Sequence, residues 1–389
     1  MQRRHKFLIL TAGYGDGHIK VAQALQQAIE RYGDQHRIVD PYEESLPMWN
    51  ELCKQLYKKS AAMAEFGLDY YGWVYYLTRN LDSDNLLFKW IHYFGVKTLA
   101  ALIERERPSA IVSTFPYGAM LDCLRDRGVA VPTFTVLTDY TLHNRWLHRE
   151  PDHYYVATDD LQQALVRQGI PPECTTVSGI PIRRQFNQAK QGRLREDKRR
   201  SVLIMSGSYM PVSRTIELVD DLLRQPQLEI DIVCGRNKAL KQSLEHRYGV
   251  VSHIRFYGFV DNIHELMRQS AFMVTKAGGV TLSEAIHLQI PVLVYNPLPG
   301  QEKENASYLA GKDVVLVSHS VSQLSRQIRD LLRRRDQAEL MRRCAGLLRK
   351  PDPAGTIVKH MRHVLEAVSP GTKTAAVPHA KWRYHEPIV

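Results

Sequence analysis

Cysteine is scarce and scattered in this chain. Cys53, Cys123, Cys174, Cys234 and Cys344 are spread over 389 residues. An odd number at wide spacing argues against a disulfide framework or a zinc cluster and suits a reducing cytosol. Long apolar runs are missing as well. No stretch reaches the roughly 18 residues that a membrane-crossing helix needs. The opening MQRRHKFLILTAGYG has too short an apolar run for a secretory signal and leads into a glycine loop, so it reads as a first strand. No H-E-x-x-H motif or Cys/His cluster occurs, so no catalytic metal is expected. No helix-turn-helix, zinc-finger or RNP-type pattern occurs, and nucleic acid is not an expected partner.

Positive charge is in excess. Lys and Arg total 52 against 41 Asp and Glu, a net charge of +11. An anionic substrate and an anionic membrane surface both remain open as partners. Apolar content of 44% with 24% charged residues is ordinary for a globular protein, and the length favours two domains.

Short apolar segments recur along the chain. Residues 7–10, 37–40, 110–115, 133–137, 154–157 and 175–178 read as strands, with helical segments such as 17–32 between them. The rhythm stops near Gly179. Residues 183–200 carry eight basic residues against Glu196 and Asp197, which reads as a solvated linker. Strands then resume at 201–205, 228–233, 253–256, 272–275, 292–295 and 314–317. Such alternation implies two doubly wound α/β domains in tandem, with ligands in a cleft at the carboxyl ends of their strands.

One region departs from the rhythm. Residues 47–102 lie between two strands yet are much longer than an ordinary crossover. Trp73, Tyr75, Tyr76 and Trp90 stand among many aromatics there, interleaved with lysines and Arg79. Aromatics and cations together suit the headgroup level of a membrane. An insertion with an aromatic core of its own fits equally well.

Two segments carry the chemistry. TKAGGVTLSEAIHLQIPVLVYNPLPGQEKEN (275–305) follows an apolar strand. Gly278 and Gly279 allow unusual backbone conformations and close approach of a ligand. A helix over 280–288 is predicted, with Thr281 and Ser283 able to cap it and Glu284 suited to its first turns. Its amino end suits a phosphate. Gln301 and Asn305, beyond a Pro-Gly turn, can bond hydroxyl groups. The second segment is GYGDGH (13–18), which joins the first strand to the first helix. Its third glycine comes one residue early for the dinucleotide fingerprint, and no Gly-Lys-Ser/Thr makes it a P-loop. Gly13, Gly15 and Gly17 let a substrate approach, and His18 at the helix start is a candidate base. A cap or core role is the commoner fate of a single histidine, but the glycine context favours function. Asp139 ends a strand and can orient His18 or meet the acceptor. For Asp139 and for His143 a cap is an equal alternative. Ser206 and the backbone near Val260 can touch phosphate and a pyrimidine edge. Asp82-Ser83-Asp84 has the Asp-x-Asp form of some metal sites but sits in a polar turn, and no metal role is assigned to it.

The chain resembles a GT-B glycosyltransferase. LILTAGYGDGH, STFPYGAM, FTVLTDYTLHNRW, YYVATDDL, SGIPIRRQF, CGRNKALK, YGFVDNI and segment 275–305 are similar to the family of monogalactosyldiacylglycerol synthases and processive diacylglycerol β-glucosyltransferases, relatives of MurG. NPLPGQEKENA and the glycine loop are most similar to its bacillar diacylglycerol glucosyltransferase branch. The resemblance implies that the carboxyl-terminal domain binds UDP-glucose. Gly279, Val280 and Thr281 would hold the diphosphate, Glu284 the ribose, Val260 uracil, and Gln301 with Asn305 the sugar. It implies an amino-terminal domain that takes diacylglycerol, then glucosyldiacylglycerol, with His18 as base and Asp139 assisting. Inverting transfer would occur at the cytoplasmic face of the membrane, against anionic lipids, with no cofactor or obligatory metal. Lys276-Ala277-Gly278-Gly279 departs from the family's Lys-Pro-Gly-Gly. A UDP-galactose donor, or a UDP-sugar 2-epimerase of the same fold, are the alternatives. The expected organisation is an acceptor and membrane domain over 1–182, a linker over 183–200, a UDP-sugar domain over 201–368 and a tail over 369–389.

Overall fold

The computed structural model describes residues 4–13, 16–45, 47–48, 50–52, 54–55, 86–149, 152–187, 200–207, 210–225 and 228–367, with 86–94 as helical backbone only. Gly15, Trp73, Tyr75, Tyr76, the Trp90 side chain, Asp82 and Asp84 therefore lie outside the described residues. So do linker residues 188–199 and the expected tail.

The chain forms two compact units. Met1–Arg184 with Asp352–Val389 make the first, and Gln185–Pro351 make the second. The first holds six parallel strands: β1 (Lys6–Leu10), β2 (Gln35–Val39), β3 (Ala110–Ser113), β4 (Thr133–Val136), β5 (His153–Val156) and β6 (Thr175–Val177), in the order β2-β1-β3-β4-β5-β6. The second holds β7 (Ser201–Ile204), β8 (Glu229–Val233), β9 (Ile254–Tyr257), β10 (Phe272–Thr275), β11 (Val292–Tyr295) and β12 (Val315–Ser318), in the order β12-β11-β10-β7-β8-β9. All pairings are parallel. All twelve expected strands form, each within two residues of its expected bounds.

Parallel strands covered on both faces are buried along their whole length, and their few polar side chains with them. β3, β4, β5, β7, β10 and β11 are buried at every position. One core of the first unit joins Leu8, Leu10 and Ile111 to Leu99, Leu102, Met120 and Leu124 from helices Leu86–Glu106 and Gly118–Asp126. In the second, Val202, Ile204, Ile230, Val274 and Leu293 meet Leu218, Leu244, Leu324 and Ile328.

Strand order fixes where ligands bind. Connections from β1 and β3 leave in opposite directions across the sheet, as do those from β7 and β10. At such a switch point the loops part and open a crevice above the carboxyl ends of the strands. The loop with Gly13 follows β1, and the loop with Gly278 follows β10.

The expected second domain runs too far. Helix Pro353–Ala367 belongs to the first unit. Arg362, 5% exposed, forms an ion pair with Asp34, whose other oxygen accepts the His5 N–H at 2.9 Å. The Tyr155 hydroxyl meets His360 Nδ1 at 2.8 Å, and Arg31 reaches Asp352 at 3.4 Å. These contacts are remote in sequence, so helical periodicity alone could not show which sheet the helix joins.

Candidate functional site

In the first unit the candidate base sits at the switch point. His18 lies in the first turn of helix Asp16–Arg31. Its Nδ1 is 2.7 Å from the Thr114 carbonyl, just beyond β3. A carbonyl only accepts, so Nδ1 carries the proton and Nε2 is the basic nitrogen. Thr138 Oγ1 lies 3.2 Å from the same Nδ1. The Phe115 ring stands edge-on to the imidazole, with centroids 5.0 Å apart, and Trp146 lies 6.4 Å away. Burial lowers the His18 pKa to about 4, against the opposing pull of the Thr114 bond. The imidazole is therefore neutral at physiological pH and able to take a proton.

Thr114 also ties two strands together. Its N–H donates to the Leu10 carbonyl at 2.9 Å, and so does its hydroxyl, at 3.1 Å. The Tyr117 hydroxyl donates to the Thr11 carbonyl at 3.0 Å. Sequence reasoning passed over Thr114 and Thr138. STFPYGAM and VLTDYT contain them, but their bonds to His18 span 96 and 120 residues.

Asp139 is buried directly after Thr138, the residue that touches His18. His143 resolves toward a cap. Its Nδ1 accepts the Arg145 N–H at 3.1 Å and starts the turn Asn144–Trp146. Gly13 follows β1, and Gly17 lies in the first turn of helix Asp16–Arg31.

In the second unit, helix Gly279–Leu288 begins directly after the β10 loop. The expected caps are not the caps. Gly278 is the N-cap, without a side-chain bond, and Ser283 Oγ instead donates back to the Gly279 carbonyl at 2.8 Å. A helix start with no side-chain cap leaves its first N–H groups to a ligand. Gly278 does not supply an unusual torsion either, since its φ is −72°. Its role is space: a Cβ there would meet only Lys276 Cε, 4.0 Å away. Val280 and Glu284 are buried along this helix, at 4% and 2% exposure, and Thr281 is half-buried.

Two residues expected at the donor have partners within the protein. Asn305 is fully buried, and its Nδ2 donates to the Ala277 carbonyl at 3.2 Å. It fastens the turn from beneath. Ser206 is fully buried too, with its hydroxyl 2.8 Å from Thr215 Oγ1. It joins β7 to helix Val212–Leu222, and the chain turns at Gly207 with φ of +44°. In both cases a hydrogen-bonding group is engaged by a partner inside its own unit. Gln301 keeps its expected place. It opens helix Gln301–Ala310 after Gly300, whose φ of 91° is open to glycine, and it is half-buried. Lys276 pairs with Glu302 at 3.1 Å beside it. Val260 is half-buried next to Phe259, an exposed ring with the Arg236 guanidinium 5.2 Å from its centroid. Sequence reasoning did not single out that pair.

Two parallel six-stranded α/β units in tandem, each with a glycine segment after a strand at its switch point, have the GT-B architecture. A family model described as monogalactosyldiacylglycerol (MGDG) synthase matches residues 18–182, and one described as glycosyl transferases group 1 matches 186–346. The chain is 36% identical over 366 residues to the processive diacylglycerol beta-glucosyltransferase of Bacillus cytotoxicus, covering 92% of this chain and 93% of that protein. It is 37% identical over 367 residues to the protein of that name from Bacillus mycoides, with the same coverage. Among solved structures it is similar to Acinetobacter baumannii MurG, with a TM-score of 0.62, 15% identity and coverage of 94% of this chain and 100% of that one. This chain belongs to the processive diacylglycerol β-glucosyltransferase family.

Proposed function

We propose that this protein transfers glucose from UDP-glucose to the 3-hydroxyl of 1,2-diacylglycerol with inversion, and then to the product, giving mono- and diglucosyldiacylglycerol. The observation that carries this is the identity along 92% of the chain to transferases named for that activity. The geometry supplies a mechanism. His18 Nε2 takes the proton of the acceptor hydroxyl, whose oxygen attacks the anomeric carbon. The bond from that carbon to the diphosphate oxygen breaks, and UDP leaves with its electron pair. N–H groups at the start of helix Gly279–Leu288 stabilise the charge that develops there. Glu284 holds the ribose, the backbone of Val260 the uracil, and Gln301 the sugar; Asp139 assists His18. An α-linked donor gives a β-glucoside by this single displacement.

UDP-glucose is a substrate, and no resident cofactor or metal has a part in this reading. The protein works peripherally at the cytoplasmic face, where its acceptor resides, and its basic surface favours anionic lipids. Among the described residues no helix is long and apolar enough to cross a membrane. The test is purified full-length protein with diacylglycerol vesicles, offered UDP-glucose and UDP-galactose in parallel, with and without a chelator. Glucolipid and UDP release that persist under chelation are expected. Release of neither would sink the acceptor assignment. Preference for galactose would instead favour the second reading, for which the match of residues 18–182 to the galactolipid synthase model speaks.

A further inference from the structure

The glycine loop of the first unit is held by a carboxylate and an ammonium that the mechanism above does not use. Asp40 follows β2, and its Oδ2 accepts the Gly13 N–H at 3.2 Å. The same oxygen accepts Asn50 Nδ2 at 3.4 Å and lies 3.5 Å from Lys54 Nζ. Asp40 Oδ1 accepts the N–H groups of Tyr42 at 3.1 Å and Glu43 at 3.3 Å. Lys54 Nζ also reaches Glu43 Oε2 at 3.0 Å. Side-chain exposure is 9% for Asp40 and 14% for Lys54, so this cluster is largely shielded from solvent.

Lys54 rests directly on Gly13. A Cβ added to Gly13 would stand 2.5 Å from Lys54 Cε and 2.8 Å from Nζ. Gly13 is not among the glycines with positive φ. A side chain at Gly13 would therefore push the end of the lysine away from its carboxylate partners, and torsion plays no part. Burial works to lower the Lys54 pKa, but Glu43 and Asp40 outweigh it and the net shift is upward, so the ammonium stays charged.

We propose that Asp40 and Lys54 are positioning residues that fix Gly13, and through it the approach of the chain to helix Asp16–Arg31, whose first turn carries His18. Lys54 belongs to the long insertion between β2 and β3, so one residue of the insertion sets the position of Gly13. The catalytic consequence rests on the glucosyl-transfer reading; the clamp itself does not. A loop displaced by about 1 Å can cost on the order of 100-fold in rate.

Full-length K54M, K54R, D40N and G13A are compared with the parent protein by hydrogen exchange of the peptide containing Gly13, by UDP binding and by vesicle turnover. K54M and D40N are expected to speed exchange at Gly13 by about tenfold or more, since the amide loses a charge-held acceptor geometry. K54M should lower kcat about 10- to 100-fold with UDP affinity unchanged, and K54R should restore most of it. G13A, whose methyl group displaces the ammonium, should reproduce K54M. Unchanged exchange in both K54M and D40N overturns the clamp. Faster exchange with unchanged kcat overturns its catalytic role. If the parent protein makes no glycolipid, the transfer reading fails, and the exchange measurement still decides the clamp.

Discussion

At the scale of single residues, His18 owes its chemistry to one carbonyl. Thr114 holds the proton on Nδ1 and so dictates that Nε2 receives the next one. The glycine context pointed to His18 from sequence, but nothing local could show its tautomer, because the partner is 96 residues away. Replacing His18 by Ala should lower kcat by about 10²- to 10⁴-fold, the usual yield of a positioned base. Calorimetric titration should find UDP affinity unaltered. Turnover unchanged by the substitution would remove His18 from the mechanism. The pH profile carries a second signature. Burial lowers the His18 pKa to about 4, so the base form persists well below 6.5. The acid limb of kcat/KM set by this group should therefore fall below pH 6.5. His143 shows the reverse outcome. A second histidine, beyond β4, caps a turn, because its Nδ1 accepts the N–H two residues on.

At the scale of elements, the glycines before helix Gly279–Leu288 teach how space differs from torsion. Sequence reasoning attributed to them conformations closed to other residues, yet Gly278 has an ordinary φ of −72°. The protein itself leaves room for a methyl group there, the nearest atom being 4.0 Å away. G278A should therefore fold with a melting temperature close to that of the parent. It should nonetheless weaken UDP binding about tenfold, or about 1.4 kcal/mol, because the methyl group enters the path of the diphosphate. Equal affinity in the variant would show that the ligand does not approach this turn. Asn305 behaves differently. Its amide is buried against the Ala277 carbonyl, so its loss acts first on the turn and only through it on the donor. Sequence could place Asn305 beyond a Pro-Gly turn but could not say which way it faces, since helix Gln301–Ala310 turns it inward.

At the scale of the whole molecule, the first unit is closed by the last described helix. Arg362 and Asp34 are buried together, with side-chain exposures of 6% and 0%. Removing one partner of such a pair leaves the other charge uncompensated, at a cost of about 3–5 kcal/mol. R362M should thus lower the unfolding transition of the first unit, read by calorimetry, while UDP binding by the second persists. Loss of UDP binding along with that transition would contradict the division into units. The same unit should lose stability in acid for a definite reason. Burial lowers the pKa of His148 to about 3 and, aided by the neighbouring His360, that of His153 to about 3; His18 stands at about 4. Above pH 6.5 these rings are neutral in folded and unfolded chains alike and carry no penalty. As pH falls from 6.5 toward 4, the unfolded chain binds protons that the folded chain refuses. Stability then drops by up to about 1.4 kcal/mol per pH unit for each histidine. Denaturant titrations between pH 7 and 4.5 should show the decline in the first unit. A flat profile would mean the rings protonate while folded.

The sequence alone determined the strands, because an apolar run of four or five residues between helical segments has few other uses. It determined the two tandem α/β units for the same reason, and the two glycine segments, since strand-to-helix turns expose backbone N–H groups wherever they occur. Tertiary structure decided what depends on contacts across long separations. Strand order placed the two switch points. The Thr114 carbonyl decided which nitrogen of His18 is left without a proton. Packing turned Ser206 and Asn305 inward, and the Asp34–Arg362 pair assigned the last helix to the first unit. Each of these joins groups that periodicity treats as independent, which is why only the folded chain could decide them.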